Sequence, residues 1–404
     1  MVVAHKAHRP LIHTLRFVQD HQESTRASPA NAEYCPLERP RPSTGRIAPS
    51  PEPCTGRGGL SPMGWEASSD CAILHQEEVR RVITTTGSRP QTLISRGQIL
   101  EDTPGTIGEL RRSDDLGTTP VAIARNIATA HERLDEDGYL YLPGYLLRDE
   151  VLAARHELCS QLAEHGLIRS DHPVDDAIHV PGATLGVKSS DVARANRALQ
   201  HLLYATDGPM IRFYRALFGE EVRHFDFTWL RLVKPGMGTA SHCDLVFMGR
   251  GTHQLCTSWT PLGDIDRHLG GLIVLEGSHR QHDLTGDYLA TDVDTVCENR
   301  HDGAWTGPDG VRNRPDLATG AITDDHVGLR RKFGGRWLTT DYRAGDLLVF
   351  NMVLVHASLD NQSADRLRLS SDSRYQRASE PADERWIGID PPAHGPQSAR
   401  PVIC

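Results

Sequence analysis

The chain has 404 residues and a formal net charge of −9, with no run of Lys or Arg. That balance argues against nucleic acid or an anionic membrane as the main partner, and no stretch of 18 apolar residues offers a transmembrane helix. The start of the chain lacks the apolar core of a secretory signal, and the eight cysteines are scattered with no C-x-x-C pair. The expectation is reduced thiols and a cytoplasmic location.

Residues 1–118 differ from the rest. They hold only three aromatics, Phe17, Tyr34 and Trp65, and 11 of the 25 prolines. So few large apolar groups cannot offset chain entropy. The expectation is a mostly disordered extension with one short helix near 71–82. A start codon assigned too far upstream accounts for it more simply than a transit peptide, although Lys6, Arg9 and Arg16 precede any acid.

Residues 119–404 read as folded. Helical apolar spacing predicts a helix over 122–134, broken by Asp137-Gly138 before a short strand at 139–142. A second amphipathic helix is predicted over 149–162, with Leu152, Leu158 and Leu162 on one face. Further helices are expected at 195–203 and 210–217. After Gly219 come short β-rich runs at 222–233, 255–260, 272–275, 337–342, 347–355 and 366–375. Helices first and strands later suggest an α+β fold with a sandwich or barrel core. The polar stretch from about 282 to 336 is too long for a turn and reads as an insertion or lid.

Neither phosphate-binding glycine motif occurs, nor a G-x-S-x-G elbow. The 21 histidines make metal ligation the first possibility to weigh. A His-x-Asp/Glu triplet in a strand puts both side chains on one face, and a distant histidine completes a 2-His-1-carboxylate triad suited to non-haem Fe(II). The chain contains four such triplets: His21/Glu23, His75/Glu77, His224/Asp226 and His242/Asp244. The first two fall in the extension, and the third reads as a buried or edge polar pair. His242-Cys-Asp244 follows the loop Lys234-Pro-Gly-Met-Gly-Thr-Ala-Ser241, where barrel-mouth ligands sit. Downstream, an apolar run ends at His356, followed by Arg366-Leu-Arg368-Leu-Ser370. An Arg two residues before a Ser offers a fork and a hydroxyl to one carboxylate. Arg366 has the same parity as Arg368 and is the alternative clamp.

The ordered set His242-Cys-Asp244, Trp259-Thr-Pro-Leu-Gly-Asp264, Gly270-Gly-Leu-Ile-Val-Leu-Glu-Gly-Ser-His279, Gly345-Asp346, His356-Ala-Ser-Leu-Asp-Asn361 and 366–376 resembles the phytanoyl-CoA dioxygenase family. Asp137-Gly-Tyr-Leu-Tyr-Leu-Pro-Gly144 is similar to that family's entry strand. The resemblance spans roughly 125–390. It implies a double-stranded β-helix (jelly-roll, cupin-like) core with flanking N-terminal helices. It implies Fe(II) on His242, Asp244 and His356, with Arg368 and Ser370 on the distal carboxylate of 2-oxoglutarate and O2 at a remaining iron position. The interval from His356 to Arg368 is one residue longer than the family's usual, so Ala364 reads as an insertion in the turn.

The implied reaction hydroxylates a C–H of a small-molecule metabolite and releases succinate and CO2. The carboxylate of Asp244 favours hydroxylation over halogenation, and the lack of a dense Lys/Arg patch favours a substrate without CoA. The competing readings are a metal-dependent isomerase or lyase on the same barrel and a binding protein without turnover. Cys243 is expected to pack on the opposite face, His279 to be structural or at the pocket rim, and Thr257 and Trp259 to be core or co-substrate contacts. Tyr375 and Trp386 are expected to close the C-terminal side, and His301 and His326 to be candidate substrate contacts in the insertion. The oligomeric state stays open.

Overall fold

A computed structural model describes residues 92–294 and 320–394. Two antiparallel-rich sheets form its centre. The large sheet runs in the order β4 (Tyr139–Leu142), β10 (Leu347–Asn351), β7 (Cys256–Pro261), β12 (Arg368–Arg377) and β5 (Val222–His224), with β6 (Trp229–Val233) also paired to β12. The small sheet runs β11 (His356–Ser358), β8 (Leu272–Leu275), β9 (Trp337–Thr339) and β3 (Ile107–Glu109). This is an α+β fold with a double-stranded β-helix core.

Strand alternation sorts the side chains into layers. Tyr139, Tyr141, Trp259, Leu348 and Phe350 of the large sheet meet Leu272, Val274 and Leu338 of the small one in an interior cluster. The alternate residues Leu140, Leu142, Leu347, Val349, Leu369 and Tyr375 face the helices. That layer comprises α1 (Pro120–Arg125), α2 (Ile127–Asp137), α3 (Arg148–Glu164), α4 (Ser189–Ala195), α5 (Arg197–Tyr204) and α6 (Pro209–Phe218). Outside the small sheet, Ile273, Leu275, Trp337 and Ala357 pack against α8 (His282–Leu289) and α9 (His326–Phe333) through Tyr288, Leu329 and Phe333.

Local chemistry sets the helix ends. Thr119 accepts the Ala122 N–H at 3.2 Å ahead of Pro120, a capped start with proline at the first helical position. Gly138 ends α2 at φ +80°, where a Cβ would lie 2.7 Å from the His279 ring. The expected helix at 195–203 is present as α5, and the separate helix α4 ends against it at Asn196. Its Oδ1 accepts the Leu199 N–H at 2.8 Å, which starts a new helix.

Three expectations need correction. Residues 92–118 fall within the expected disordered extension, yet they form β1 (Ile94–Ser95), β2 (Gln98–Ile99) and β3. They bury Leu93, Leu100, Leu110 and Leu116, so the folded part begins no later than residue 92. Residues 1–91, including the expected helix at 71–82, lie outside the described residues, as do 295–319 of the insertion. The single run 222–233 is two strands, because β5 and β6 pair with different ends of β12. The run 347–355 is strand only to Asn351. The chain then turns, with Asn351 Oδ1 accepting the Val353 N–H, and enters the small sheet at His356.

Candidate active site

The crossing after Asn351 positions the first two candidate ligands. His242 and His356 form an isolated antiparallel bridge, each N–H donating to the other's carbonyl at 3.0 Å. Directly opposed residues share a face, and the two rings lie 4.2 Å apart between centroids. Asp244 follows one residue beyond Cys243, at the N-cap of the short helix α7 (Leu245–Met248). Single atoms of His242, Asp244 and His356 all lie within 4.8 Å of one another. Among the described residues no other group of three His, Cys, Asp or Glu does so.

Each side chain is held so that a lone pair stays available. A carbonyl only accepts, so Nδ1–H of His242 donates to Ala240 at 2.9 Å and Nδ1–H of His356 donates to Leu354 at 3.0 Å. Each neutral ring therefore keeps Nε2 unprotonated. Burial, with the facing His356, pushes the His242 imidazole down to about 3, and burial also lowers His356. Asp244 is 2 % exposed. Burial opposes its charge, but Arg374, the two imidazoles and the Thr257 hydroxyl hold its carboxyl well below the usual range. Its Oδ2 accepts from Thr257 Oγ1 and from Arg374 Nη2 at 3.0 Å, while Oδ1 lies 3.8 Å from His356 Nε2.

Arg368 and Ser370 come from β12, on its inward face. Arg368 is 1 % exposed; its Nη1 donates to Ser370 Oγ at 2.6 Å and its Nε has no partner. Burial pushes its guanidinium down to about 10. It lines a niche with His242, His356, Trp259, Phe350 and Asp372. Arg366 is exposed at the turn before β12, so of the two candidate clamps only Arg368 reaches the interior.

A second cavity of about 300 Å³ borders His242 and Asp244, walled by Trp229, Arg231, Phe247, Met248, Arg374 and His394. Arg231 lines both spaces and holds Asp372 at 2.7 Å. Arg374 sits 4.5 Å over the Trp229 ring. His394 reaches the wall from the C-terminal segment, where its Nδ1 meets Asp294 at 3.1 Å. The sequence reading missed Arg231, Asp372, Arg374 and His394. The signal for two of them was present, since Asp372 and Arg374 continue the inward parity of Arg368 and Ser370.

The other expected residues fall elsewhere. His224 and Asp226 form a separate pair at 3.6 Å, with the Tyr204 ring over His224. Cys243 packs outward, its thiol donating to the Val353 carbonyl. His279 Nε2 meets the Asp135 carbonyl at 3.1 Å. Trp259 lines the niche, and Trp386 packs 4.7 Å from Trp229. Tyr375 faces the helix layer. His326 is fully buried against Trp337, outside the small sheet, and lines neither cavity. His301 lies outside the described residues.

Residues 134–369 match the family model described as Phytanoyl-CoA dioxygenase (PhyH). Over 264 residues the chain is 28 % identical to a 1-deoxypentalenic acid 11-beta-hydroxylase of Streptomyces arenae, covering 61 % of this chain and 79 % of that one. The Streptomyces exfoliatus protein of the same name is 27 % identical over the same shares. Among solved structures, EctD from S. alaskensis with 2-oxoglutarate and 5-hydroxyectoine is 18 % identical, with a TM-score of 0.43 over 76 % of this chain and 90 % of that one. The non-heme alpha ketoglutarate dependent epimerase SnoN from nogalamycin biosynthesis is 21 % identical, with a TM-score of 0.40 over 66 % and 92 %.

Proposed function

The chain belongs to the phytanoyl-CoA dioxygenase family and is an Fe(II)- and 2-oxoglutarate-dependent hydroxylating dioxygenase; we propose that His242, Asp244 and His356 hold its iron and that Arg368 and Ser370 hold its co-substrate. The observation that carries this assignment is the backbone bridge between His242 and His356, which brings two Nε2 lone pairs beside one free carboxylate oxygen. The residues fit the groups. Two imidazoles and one carboxylate would hold the iron and leave it positions for a co-substrate and O2. A fully buried guanidinium with a partnerless Nε suits an incoming carboxylate, because an unpaired buried charge is costly.

When bound, iron, 2-oxoglutarate and O2 supply the oxidising power, releasing succinate and CO2 as a substrate C–H becomes C–OH. The protein's residues supply orientation. Ala240 and Leu354 fix the imidazole tautomers through their carbonyls. Thr257 and Arg374 occupy Oδ2 of Asp244, so Oδ1 alone faces the two histidines. Arg374 also keeps that carboxylate ionised. Trp229, Phe247 and Met248 wall the larger cavity and keep water from a bound apolar substrate.

The substrate is a small-molecule metabolite, and the catalytic domain takes in residues 92–118 as well, where Leu93, Leu100, Leu110 and Leu116 are buried. None of the described helices is long and apolar enough to cross a membrane. Cys159, Cys243 and Cys256 are unpaired, in keeping with the reducing cytoplasm as the place of work.

The test is succinate release from the Fe(II)-loaded protein across a metabolite panel that begins with 1-deoxypentalenic acid. Substrate-linked succinate is expected from the unmodified protein and lost in His242→Ala and His356→Ala. Retention of full turnover in His356→Ala would refute the ligand assignment.

A further inference from the structure

The charges around the two cavities do not balance. Three guanidinium groups line them, Arg231, Arg368 and Arg374, against two carboxylates, Asp244 and Asp372. Ferrous iron and 2-oxoglutarate carry opposite double charges, so their joint binding leaves this excess of one positive charge unchanged. Buried charge without a counter-charge is costly, and the last partner to enter is the substrate.

The geometry says where the excess sits. Arg368 belongs to the niche reserved above for the co-substrate. Arg231 and Arg374 both line the larger cavity, and both border the same oxygen, Oδ2 of Asp372, at 2.7 Å and 3.9 Å. Arg231 spends its Nε and Nη2 on that oxygen, so its Nη1 is not used by Asp372. Arg374 is 1 % exposed and gives Nη2 to Asp244 and Nε to the Met248 sulfur, while its Nη1 is buried without a partner. Two neighbouring guanidinium groups thus line one cavity, each with a donor not spent on Asp244, Asp372 or Met248. The cavity's other walls include Trp229, Phe247 and Met248.

We propose that the substrate is an apolar carboxylic acid whose carboxylate docks on Arg231 and Arg374 while its skeleton lies against Trp229, Phe247 and Met248. This rests on the iron and 2-oxoglutarate assignment above and adds the substrate's charge class to it. A carboxylate between two guanidinium donors gains charge-assisted hydrogen bonds, neutralises the cavity and fixes which C–H is turned towards the metal. Arg231 then acts as a specificity residue.

The test is titration calorimetry on the full chain loaded with Ni(II) in place of Fe(II) and saturated with 2-oxoglutarate, so that nothing turns over. The probes are apolar polycyclic carboxylic acids and their methyl esters, which share a skeleton and differ by one methyl group and one charge. At least one acid is expected to bind about ten- to a hundredfold more tightly than its ester. Arg231→Gln is expected to erase most of that difference, and Arg231→Lys to restore part of it. The acid–ester comparison on the unmodified protein stands even if a variant fails to fold. Equal binding of acid and ester, or no binding of any acid, overturns the proposal. So does an Arg231→Gln protein that keeps the acid preference but loses affinity for 2-oxoglutarate, since the arginine then serves the co-substrate. A protein that takes up neither nickel nor 2-oxoglutarate removes the metal assignment itself, and this proposal with it.

Discussion

The two faces of β12 carry different duties on one strand. Outward, Leu369, Ser371, Ser373 and Tyr375 meet the helices, and Tyr375 stacks on Tyr214 at 4.2 Å while its hydroxyl donates to the Leu203 carbonyl. Inward, Arg368, Ser370, Asp372 and Arg374 surround the candidate iron and both cavities. All eight are buried. Burial alone therefore does not separate packing from chemistry; parity does. Both faces leave polar atoms without a protein partner, the Ser371 and Ser373 hydroxyls outward and donors of Arg368 and Arg374 inward. The difference is charge: a neutral hydroxyl costs little to leave unpaired, whereas a buried guanidinium donor costs more, and that charged inward capacity is what a ligand would satisfy.

Substitutions along the strand would sharpen or break this division. The largest stability loss is expected outward, where Tyr375→Ala removes an aromatic from a closed core and costs about 3–5 kcal/mol in chemical unfolding, with or without metal. Arg374→Met comes next. It strands the Asp244 charge and is expected to cost about 3 kcal/mol without metal, and a bound divalent cation is expected to restore most of that. Equal losses with and without metal would show Arg374 to be a packing residue. Arg368→Ala is expected to raise the 2-oxoglutarate concentration needed for half-maximal succinate release by about ten- to a hundredfold. An unchanged requirement, with Arg366→Ala altering it instead, would reassign the clamp. Ser371→Ala should matter least. Its buried hydroxyl has no partner, so the change in unfolding free energy is expected to stay within about 0.5 kcal/mol.

What could be read from the sequence follows the same physics. The shared face of Arg368 and Ser370 was readable because strand parity is strict, whereas the His242/Asp244 grouping was readable only from narrow residue types, since Asp244 sits at a helix N-cap and not in a strand. The strands of the core were readable where apolar runs were dense, as in Leu347–Asn351. Residues 92–118 were not, because their composition was averaged with the proline-rich stretch before them. Four buried leucines suffice there, since β3 only adds to an existing edge by pairing with β9. Asn196 was hidden inside a helical apolar pattern that periodicity does not interrupt and only a cap reveals. His394 had no sequence signal at all. Its place beside Phe247 and Trp386 is set by the tertiary course of the C-terminal segment.

Anaerobic titration with Co(II), followed by its visible absorption, reads the metal centre without turnover. One cobalt per chain is expected for the unmodified protein and for His224→Ala, with binding weakened by orders of magnitude in His242→Ala, Asp244→Ala and His356→Ala. A His356→Ala protein that binds cobalt as tightly as the unmodified chain would contradict the assignment on which the rest depends.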